Sequence, residues 1–247
     1  MRITHAILSV LPALLPTVAN ASCRLALALG LDVSGSVDAA EFQQQTVGLA
    51  AALQSNSVRD ALLGFPDRPV ALMAFEWSAV NHQKVIADWQ VVDSAATLDS
   101  FAARIATHPR QAAPYPTSIG GAMEFAAAAL NRSPACDRQV LDLSGDGKSN
   151  NWPPPERVRD TPAFAQITVN AIVIGSDRPL GGNNLRTELE ELDAYFTANV
   201  IHGSGAFVER AAGYAQYEEA MTRKLLRELE GQAFTYLIPA DAPAAIQ

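Results

Sequence analysis

Residues 25–36 read LALALGLDVSGS, an apolar run that ends in an acidic turn rich in hydroxyl groups. Such an uninterrupted apolar run is typical of a central parallel strand that is buried on both faces. Because alternate side chains of a strand share one face, Asp32, Ser34 and Ser36 are expected to converge where the strand ends. Oxygen ligands of this kind suit Mg²⁺ or Ca²⁺. From these residues alone, an ordinary Ser- and Gly-rich turn between a strand and a helix is the alternative.

Apolar runs alternate with amphipathic helices along the rest of the chain. A second buried strand is predicted at 70–77, and an amphipathic strand around 84–91 follows it at hairpin distance. Further strands are predicted at 138–144 and 167–174, and a short one near 206–209. Helical spacing predicts helices after Asp38, at 97–107, up to Leu130, at 185–197 and at 214–229. This alternation indicates a doubly wound α/β fold, a mostly parallel sheet with helices on both faces and one antiparallel edge strand.

The N-terminal segment has the pattern of a signal peptide rather than of a folded element. Residues 1–21 contain Arg2, an apolar stretch at 6–15 and the small residues of Ala19-Asn20-Ala21. The apolar stretch is too short to span a bilayer, and no later transmembrane segment is predicted. We therefore expect one domain at 22–232, a loose Ala- and Pro-rich tail at 233–247, and a secreted or periplasmic protein.

The charge balance argues against polyanionic partners. The chain of 247 residues is 49% hydrophobic and 18% charged. Without Arg2, 26 acidic residues face 17 basic ones, a net charge of about −9. Because no basic cluster stands out, neither nucleic acid nor an anionic membrane surface is an expected partner.

The two cysteines occupy equivalent places in two of the predicted strands. Cys23 lies nine residues before Asp32, and Cys136 lies ten before Asp146, each at the start of an apolar run that ends in an acidic turn. If the two strands are parallel neighbours, both thiols lie at the same edge of the sheet, and an oxidising compartment allows a Cys23–Cys136 disulfide. The alternatives are two buried free cysteines, or lipidation of Cys23, although Asn20 stands where such signals carry Leu.

Two later segments add oxygen donors at the same predicted edge of the sheet, where doubly wound folds bind ligands. They are Thr117 in Pro-Thr-Ser-Ile-Gly-Gly-Ala and Asp146 in Ser-Gly-Asp-Gly-Lys-Ser, which follow the D-x-S-x-S run at 32–36 by about 80 and then about 30 residues. This order and spacing resembles the von Willebrand factor type A domain and its metal-ion-dependent adhesion site, over residues 24–230. The strand end at 75–78, Phe-Glu-Trp-Ser, resembles a secreted bacterial branch of poorly defined function.

The resemblance implies a set of ligands. Ser34, Ser36 and Thr117 would bind the metal directly, while Asp32 and Asp146 would act mostly through bound waters. The sixth position would be left to water or to a carboxylate of a partner, either a protein or a small ligand. Mg²⁺ is the expected ion, with Mn²⁺ or Ca²⁺ as alternatives, and few direct carboxylates leave it net positive charge. Taken singly, Thr117 also fits a helix cap and Asp146 a turn.

The residues near this site each allow two interpretations of their role. Glu76 is either a hydrogen-bond acceptor for metal-bound waters or a solvated strand-end carboxylate. Trp77, Tyr115 and Trp152 either form an aromatic rim for a partner or, as we expect for Trp77, pack in the core. The leading hypothesis is a non-enzymatic binding domain. The alternatives are a metal-dependent hydrolase with Glu76 as general base, and a scaffold that has lost its metal.

Other apparent motifs in the sequence lack residues that their function requires. Gly147-Lys148-Ser149 lacks the preceding Gly of a phosphate-binding loop, because Asp142 stands there. The run from Asp142 to Gly147 imitates a calcium-binding hand but has Pro153 at its twelfth position instead of Glu. No G-x-S-x-G motif of hydrolases surrounds the serines. The histidines His82, His108 and His202 show no ligand spacing, so structural or surface roles are expected.

Overall fold

The computed structural model describes residues 23–111, 113–114, 116–175 and 185–230. Within them, six strands form one sheet: β1 Leu25–Asp32, β2 Val70–Trp77, β3 Gln83–Val92, β4 Gln139–Gly145, β5 Ile167–Ile174 and β6 Val208–Ala211. Their spatial order is β3-β2-β1-β4-β5-β6. Only β3 pairs antiparallel, with β2, while the other neighbours run parallel. The predicted doubly wound sheet with one antiparallel edge strand is confirmed.

Helices cover both faces of the sheet. They are α1 Ala39–Gln54, α2 Asn56–Leu63, α3 Ala95–Ala106, α4 Ile119–Leu130, α5 Pro155–Arg159, α6 Leu185–Asn199 and α7 Tyr217–Glu230. Side chains of α1, α2, α3 and α7 pack in one apolar core, and those of α4, α5 and α6 pack in the other. In the part of the chain that the structure describes, no helix has both the length and the apolar character that a membrane crossing requires.

The central strand β1 divides the two cores through its own alternation. Its leucines at 25, 27, 29 and 31 face the core of α1 and α7, whereas Ala26 and Ala28 face the core of α4. A Cβ on Gly30 would lie 2.8 Å from side-chain atoms of both Leu143 and Phe75, so a larger residue there would displace these two side chains. The small residues on this side let large side chains of β2 and β4 fill the space beneath α4.

Three local details differ from the sequence-based expectations. The strand expected at 206–209 is β6, at Val208–Ala211. The helix α2 was not predicted, because only half of its eight residues are apolar and only Val58 and Leu62 are buried. The last helix begins three residues later than expected, after a 3-10 turn at Tyr214–Gln216. The helix that follows Asp38 is as predicted, with the Asp38 side chain accepting hydrogen bonds from the backbone N–H of Ala40 and Glu41.

A buried ionic cluster joins α7 to the sheet. The Lys224 Nζ lies 2.7 Å from Asp142 Oδ1 of β4 and 2.7 Å from Glu228 Oε1, and all three side chains are buried. The Asn170 Nδ2 of β5 donates to the same Glu228 oxygen at 2.8 Å. Burial of Asp142 raises its pKa to about 7, although the Lys224 ammonium opposes that rise. The cluster fixes where α7 lies on the two strands.

The predicted Cys23–Cys136 disulfide is present and joins residues 113 positions apart in sequence. The Asp137 N–H donates to the Cys23 carbonyl at 2.8 Å, immediately before β1 and β4 begin to pair. The register of these parallel neighbours therefore brings the two sulfur atoms together at one edge of the sheet. The lipidated form of Cys23 is not what the structure has, because its Sγ is in the disulfide.

Several predictions fall on residues outside those described. They are the signal peptide at 1–21, the tail at 233–247 and the aromatic residue Tyr115.

Candidate metal centre

The candidate centre lies where the strand order reverses, between the carboxyl ends of β1 and β4. Asp32 is the last residue of β1, and Asp146 directly follows the last residue of β4. The backbone of Asp32 is fixed by a buried side chain of α1, Gln45, whose Oε1 accepts from the Asp32 N–H at 3.2 Å and whose Nε2 donates to the Asp32 carbonyl at 2.9 Å. This is the position at which doubly wound folds collect ligands.

The turn after β1 folds back on its own carboxylate. The Ser34 N–H donates to Asp32 Oδ1 at 2.7 Å, and the Val37 N–H donates to the Ser34 carbonyl at 3.1 Å. As a result the two serine hydroxyls lie side by side, with Ser34 Oγ 3.3 Å from Ser36 Oγ. Ser34 is buried whereas Ser36 is exposed, so the row of oxygens runs from the interior to the surface.

Thr117 reaches the same row from the loop before α4. Its Oγ1 donates to Ser34 Oγ at 3.2 Å, although the two residues are 83 positions apart. The Thr117 N–H donates to Asn150 Oδ1 at 2.8 Å, and the Asn150 N–H donates to the Thr117 carbonyl at 2.9 Å. The cap of α4 is the next residue, Ser118, whose Oγ accepts from the Gly121 N–H. Thr117 is thus not the helix cap, and its hydroxyl faces the centre.

Asp146 closes the row at its outer end. Ser36 Oγ donates to Asp146 Oδ1 at 2.5 Å, and the Tyr214 hydroxyl donates to Asp146 Oδ2 at 3.2 Å. Burial and the neighbouring carboxylates raise the pKa of Tyr214 well above its usual value, so the phenol stays protonated and remains a donor. The structure therefore brings together all five residues that the sequence analysis proposed: Asp32, Ser34, Ser36, Thr117 and Asp146.

The two carboxylates are unfavourable neighbours without a cation. Asp32 Oδ2 is fully buried and, among the described residues, accepts no hydrogen bond. Burial, and secondly the charge of Asp146, raise the pKa of Asp32 to about 8, and burial also raises the pKa of Asp146. No Lys or Arg is among the causes that act on either group. The site therefore favours binding of a positive charge from outside.

The donor set fits a hard divalent cation. It consists of three hydroxyl and two carboxylate side chains, and oxygen-only sites suit Mg²⁺, Mn²⁺ or Ca²⁺ better than softer metals. Among the residues that the structure describes, no group of three or more His, Cys, Asp or Glu side chains is arranged to hold a metal. At this centre, hydroxyl groups are therefore the majority of the side-chain donors.

Glu76 matches neither expectation, because it is neither solvated nor directed at the centre. It is fully buried, and its two oxygens pair with different histidines, Oε1 with His82 Nε2 at 3.3 Å and Oε2 with His108 Nε2 at 2.9 Å. In the β1–β2 register it lies opposite Leu31, whereas Trp77 lies opposite Asp32. Alternation along β2 therefore points Glu76 away from the face that Trp77 occupies. The two histidines have the structural role that was expected.

The residues proposed for an aromatic rim differ in their exposure. Trp77 is fully buried beside β4, so core packing is correct for that residue. Trp152 is 64% exposed at the surface, next to the loop that holds Thr117.

Three residues that contribute to the metal centre were not predicted from the sequence: Gln45, Asn150 and Tyr214. Each lies in a segment without a motif of its own, and only the tertiary fold shows its role.

Comparison with solved structures identifies the fold. Proximal thread matrix protein 1 (PTMP1) from the mussel byssus has a TM-score of 0.56 and 16% identity, with 86% of this chain and 48% of that chain covered. A second structure of that protein, at a TM-score of 0.55 and 15% identity, is described as having a zinc-occupied MIDAS motif, and covers 86% of this chain and 47% of that chain. MIDAS denotes the metal-ion-dependent adhesion site.

Two bacterial structures are similar in the same way. The von Willebrand factor type A structure from Catenulispora acidiphila has a TM-score of 0.50 and 14% identity, over 84% of this chain and 43% of that chain. The open conformation of the pilus adhesin SpaC from Lactobacillus rhamnosus GG has a TM-score of 0.51 and 11% identity, over 84% and 30%. The chain has the von Willebrand factor type A fold, and it spans less than half of the length of each of these proteins.

Sequence comparisons give the family. No curated protein matches the chain. The family model described as protein of unknown function (DUF1194) matches residues 22–233, which is most of the sequence. The chain therefore belongs to the DUF1194 family.

Proposed function

We propose that this chain is an extracytoplasmic binding domain that captures an acidic group of its partner through a divalent cation. The observation that carries the proposal is the continuous row of oxygens from Thr117 through Ser34 and Ser36 to Asp146, beside the buried and unpaired Asp32 Oδ2. A stable fold gains nothing from two desolvated carboxylates beside each other, and a bound cation would offset their repulsion.

The chain's residues have distinct roles in this proposal. Ser34, Ser36 and Thr117 would hold the ion directly through neutral hydroxyls, and Asp32 and Asp146 would hold its waters. When bound, the ion supplies a centre of positive charge that attracts a carboxylate, because neutral ligands neutralise little of that charge. Ser36 is exposed, so an approaching partner reaches the row from that end.

The similar structures support this class of function. A PTMP1 structure has a zinc-occupied MIDAS motif, and SpaC is a pilus adhesin. At 11–16% identity these similarities show the fold alone. The binding role that we propose rests on the row of oxygens in this chain. Mg²⁺ is the ion we propose, with Mn²⁺ as a close substitute, because both accept oxygen ligands.

The proposed extracytoplasmic location is supported by the disulfide. The Cys23–Cys136 disulfide joins the segments that lead into β1 and β4, and disulfides persist in oxidising compartments. The signal-peptide pattern at 1–21 agrees with that location.

The contacts of Glu76 do not favour the hydrolase alternative. A general base must reach the proton that it removes, directly or through one water. Glu76 has both oxygens paired with histidines and lies opposite Leu31 rather than at the oxygen row.

Isothermal titration with Mg²⁺ and Mn²⁺ tests the metal. Thr117→Val keeps the shape of the side chain but removes the hydroxyl, and we expect it to abolish measurable binding. The control Thr107→Val removes an exposed hydroxyl at the end of α3, which donates to the Ala103 carbonyl and lies outside the row, so binding should persist. Absence of heat at millimolar metal in the wild-type protein would favour the metal-free scaffold. Equal binding by Thr117→Val would show that the ion binds elsewhere.

Capture of an acidic group is tested with poly-L-glutamate as the probe. The chain carries a formal charge of −8, so nonspecific attraction between the two is disfavoured. We expect immobilised protein to retain the polymer in Mg²⁺, to release it in EDTA, and to lose retention in Thr117→Val. Retention that survives EDTA would contradict capture through the cation.

A further inference from the structure

A cleft beside the candidate metal centre is lined by aromatic and polar residues that are not part of the oxygen row. It lies between the loop at 149–156 and the helix α6, and its volume is about 300 Å³. Two aromatic residues line it together with three amides and a carboxylate: Trp152, Tyr195, Asn150, Asn151, Asn199 and Glu156. None of them belongs to the oxygen row. Mixed aromatic and polar walls of this kind are typical of small-ligand sites.

Trp152 is the most exposed large hydrophobic side chain in the described part of the chain, at 64%. The Arg157 guanidinium lies 5.5 Å from the centroid of its ring. Leaving a ring of this size in water forgoes the stabilisation that burial would give. An exposed tryptophan in a cleft is therefore placed to contact a ligand.

The loop presents this ring on a fixed backbone. Ser118 Oγ donates to the Trp152 carbonyl at 2.9 Å, and the Val80 N–H donates to Asn151 Oδ1 at 3.1 Å. The next carbonyl, that of Pro153, lies so close to α4 that a Cβ on Gly120 would be 2.1 Å from its oxygen. Because the backbone is held from two sides, binding to the ring would cost little ordering entropy.

The polar groups of the cleft offer both donors and acceptors. Asn150 and Asn151 each use Oδ1 to accept from a backbone N–H, and this leaves their Nδ2 groups as donors. Asn199 donates its Nδ2 to the Tyr195 carbonyl at 2.9 Å, which leaves Oδ1 as an acceptor. The Glu156 carboxylate is a second acceptor. This mixture suits a ligand with several hydroxyl groups, because each hydroxyl both donates and accepts.

We propose that this cleft binds an uncharged pyranose ring of a saccharide. The apolar C–H face of the sugar would stack on Trp152, whose ring face is electron-rich, and the hydroxyls would bond to the amides and Glu156. Glu156 and the Arg157 guanidinium beside the ring bring charges of opposite sign, so the site has no net charge that would favour an acidic sugar. The oxygen row supplies no ligand contact in this cleft. Asn150 is shared by the two sites, but it keeps its Oδ1 bond to the Thr117 N–H, so we expect the sugar to bind without metal.

Calorimetric titration of the full chain tests the proposal with cellotriose, maltotriose, tri-N-acetylchitotriose and the acidic trigalacturonate. We expect at least one uncharged trisaccharide to bind with the same affinity in EDTA and in Mg²⁺. Trp152→Ala should weaken that binding about tenfold or more, as truncation of a central aromatic contact does, while Trp152→Phe keeps most of it. Phe65→Ala is the matched control, since Phe65 is also exposed with an arginine, Arg24, 4.7 Å from its ring centroid, and its removal should leave affinity unchanged.

Three results would overturn the proposal. They are the absence of binding by every uncharged trisaccharide, unchanged binding in Trp152→Ala, and binding of trigalacturonate alone in a manner that requires Mg²⁺. The last result would assign the sugar to the oxygen row and leave the cation-dependent function standing. Conversely, a protein that shows no heat with metal is still expected to bind the uncharged sugar.

Discussion

Replacing Asp32 by Asn should stabilise the metal-free protein and abolish its response to metal. Asn keeps the Oδ1 that accepts from the Ser34 N–H and removes the negative charge next to Asp146. It also has nearly the shape of a protonated aspartic acid, so packing at this buried position should be preserved. If Asp32 instead stabilised the metal-free fold, Asp32→Asn would lower the free energy of unfolding.

The raised pKa of Asp32 gives the expected magnitude. Burial and the charge of Asp146 raise that pKa from 3.8 to about 8. Between those values the native state holds a proton that the unfolded chain has released, so the free energy of unfolding falls as pH rises through this window. Each pH unit corresponds to about 1.4 kcal/mol, which gives on the order of 4 kcal/mol by about pH 7. Asp32→Asn lacks this loss and should match the wild type only near pH 4.

Urea unfolding in EDTA at acidic and at neutral pH measures this difference. Addition of millimolar Mg²⁺ should then raise the stability of the wild type, because the ion binds the native state alone, and should leave the variant unchanged. Asp60→Asn changes an exposed carboxylate of α2 and is the control, with no expected effect. A wild type that is as stable as the variant at neutral pH without metal, or equal stabilisation of both by Mg²⁺, would refute this reasoning.

Three further substitutions test the surrounding fold by the same unfolding assay. Lys224→Met should cost about 3–5 kcal/mol, because it leaves two buried carboxylates without their cation, whereas the half-exposed neighbour Arg223→Met should cost less than about 1 kcal/mol. A small loss for Lys224→Met would mean that the cluster is not needed for stability. The double variant of Cys23 and Cys136 to Ser should lose about 4–5 kcal/mol, as expected for opening a loop of 113 residues. An unchanged urea midpoint would contradict this. Gly120→Ala should cost about 1–3 kcal/mol by displacing the Pro153 carbonyl, and should also weaken metal binding through the loop that holds Thr117. Retention of both properties would show that the loop tolerates the displacement.

Much of the fold could be predicted because it is encoded locally. The run of alternating leucine and small residues at 25–31 predicts a strand covered on both sides, and β1 is buried at every position. The convergence of Asp32, Thr117 and Asp146 also followed from the sequence, because each follows or precedes a regular element and parallel strands end at the same edge. The disulfide followed from the same register.

The surroundings of the site could not be predicted, because they depend on contacts between distant segments. Glu76 has the sequence context of a strand-end carboxylate, and nothing near it indicates that His108, 32 residues later, covers it. Lys224 and Glu228 are charged residues of an amphipathic helix and would ordinarily be assigned to its solvated face. One signal was present, since Asp142 stands between Leu141 and Leu143 in a buried strand and a buried carboxylate requires a partner.

Crystals of the protein soaked in Mn²⁺ would show directly whether the oxygen row is a metal centre. The account predicts one strong anomalous peak bounded by Ser34 Oγ, Ser36 Oγ and Thr117 Oγ1, and no peak at that position in crystals of Thr117→Val. A peak at another place in the molecule, or a row of hydroxyls that stays hydrogen-bonded to itself in millimolar Mn²⁺, would contradict the proposed cation-dependent function.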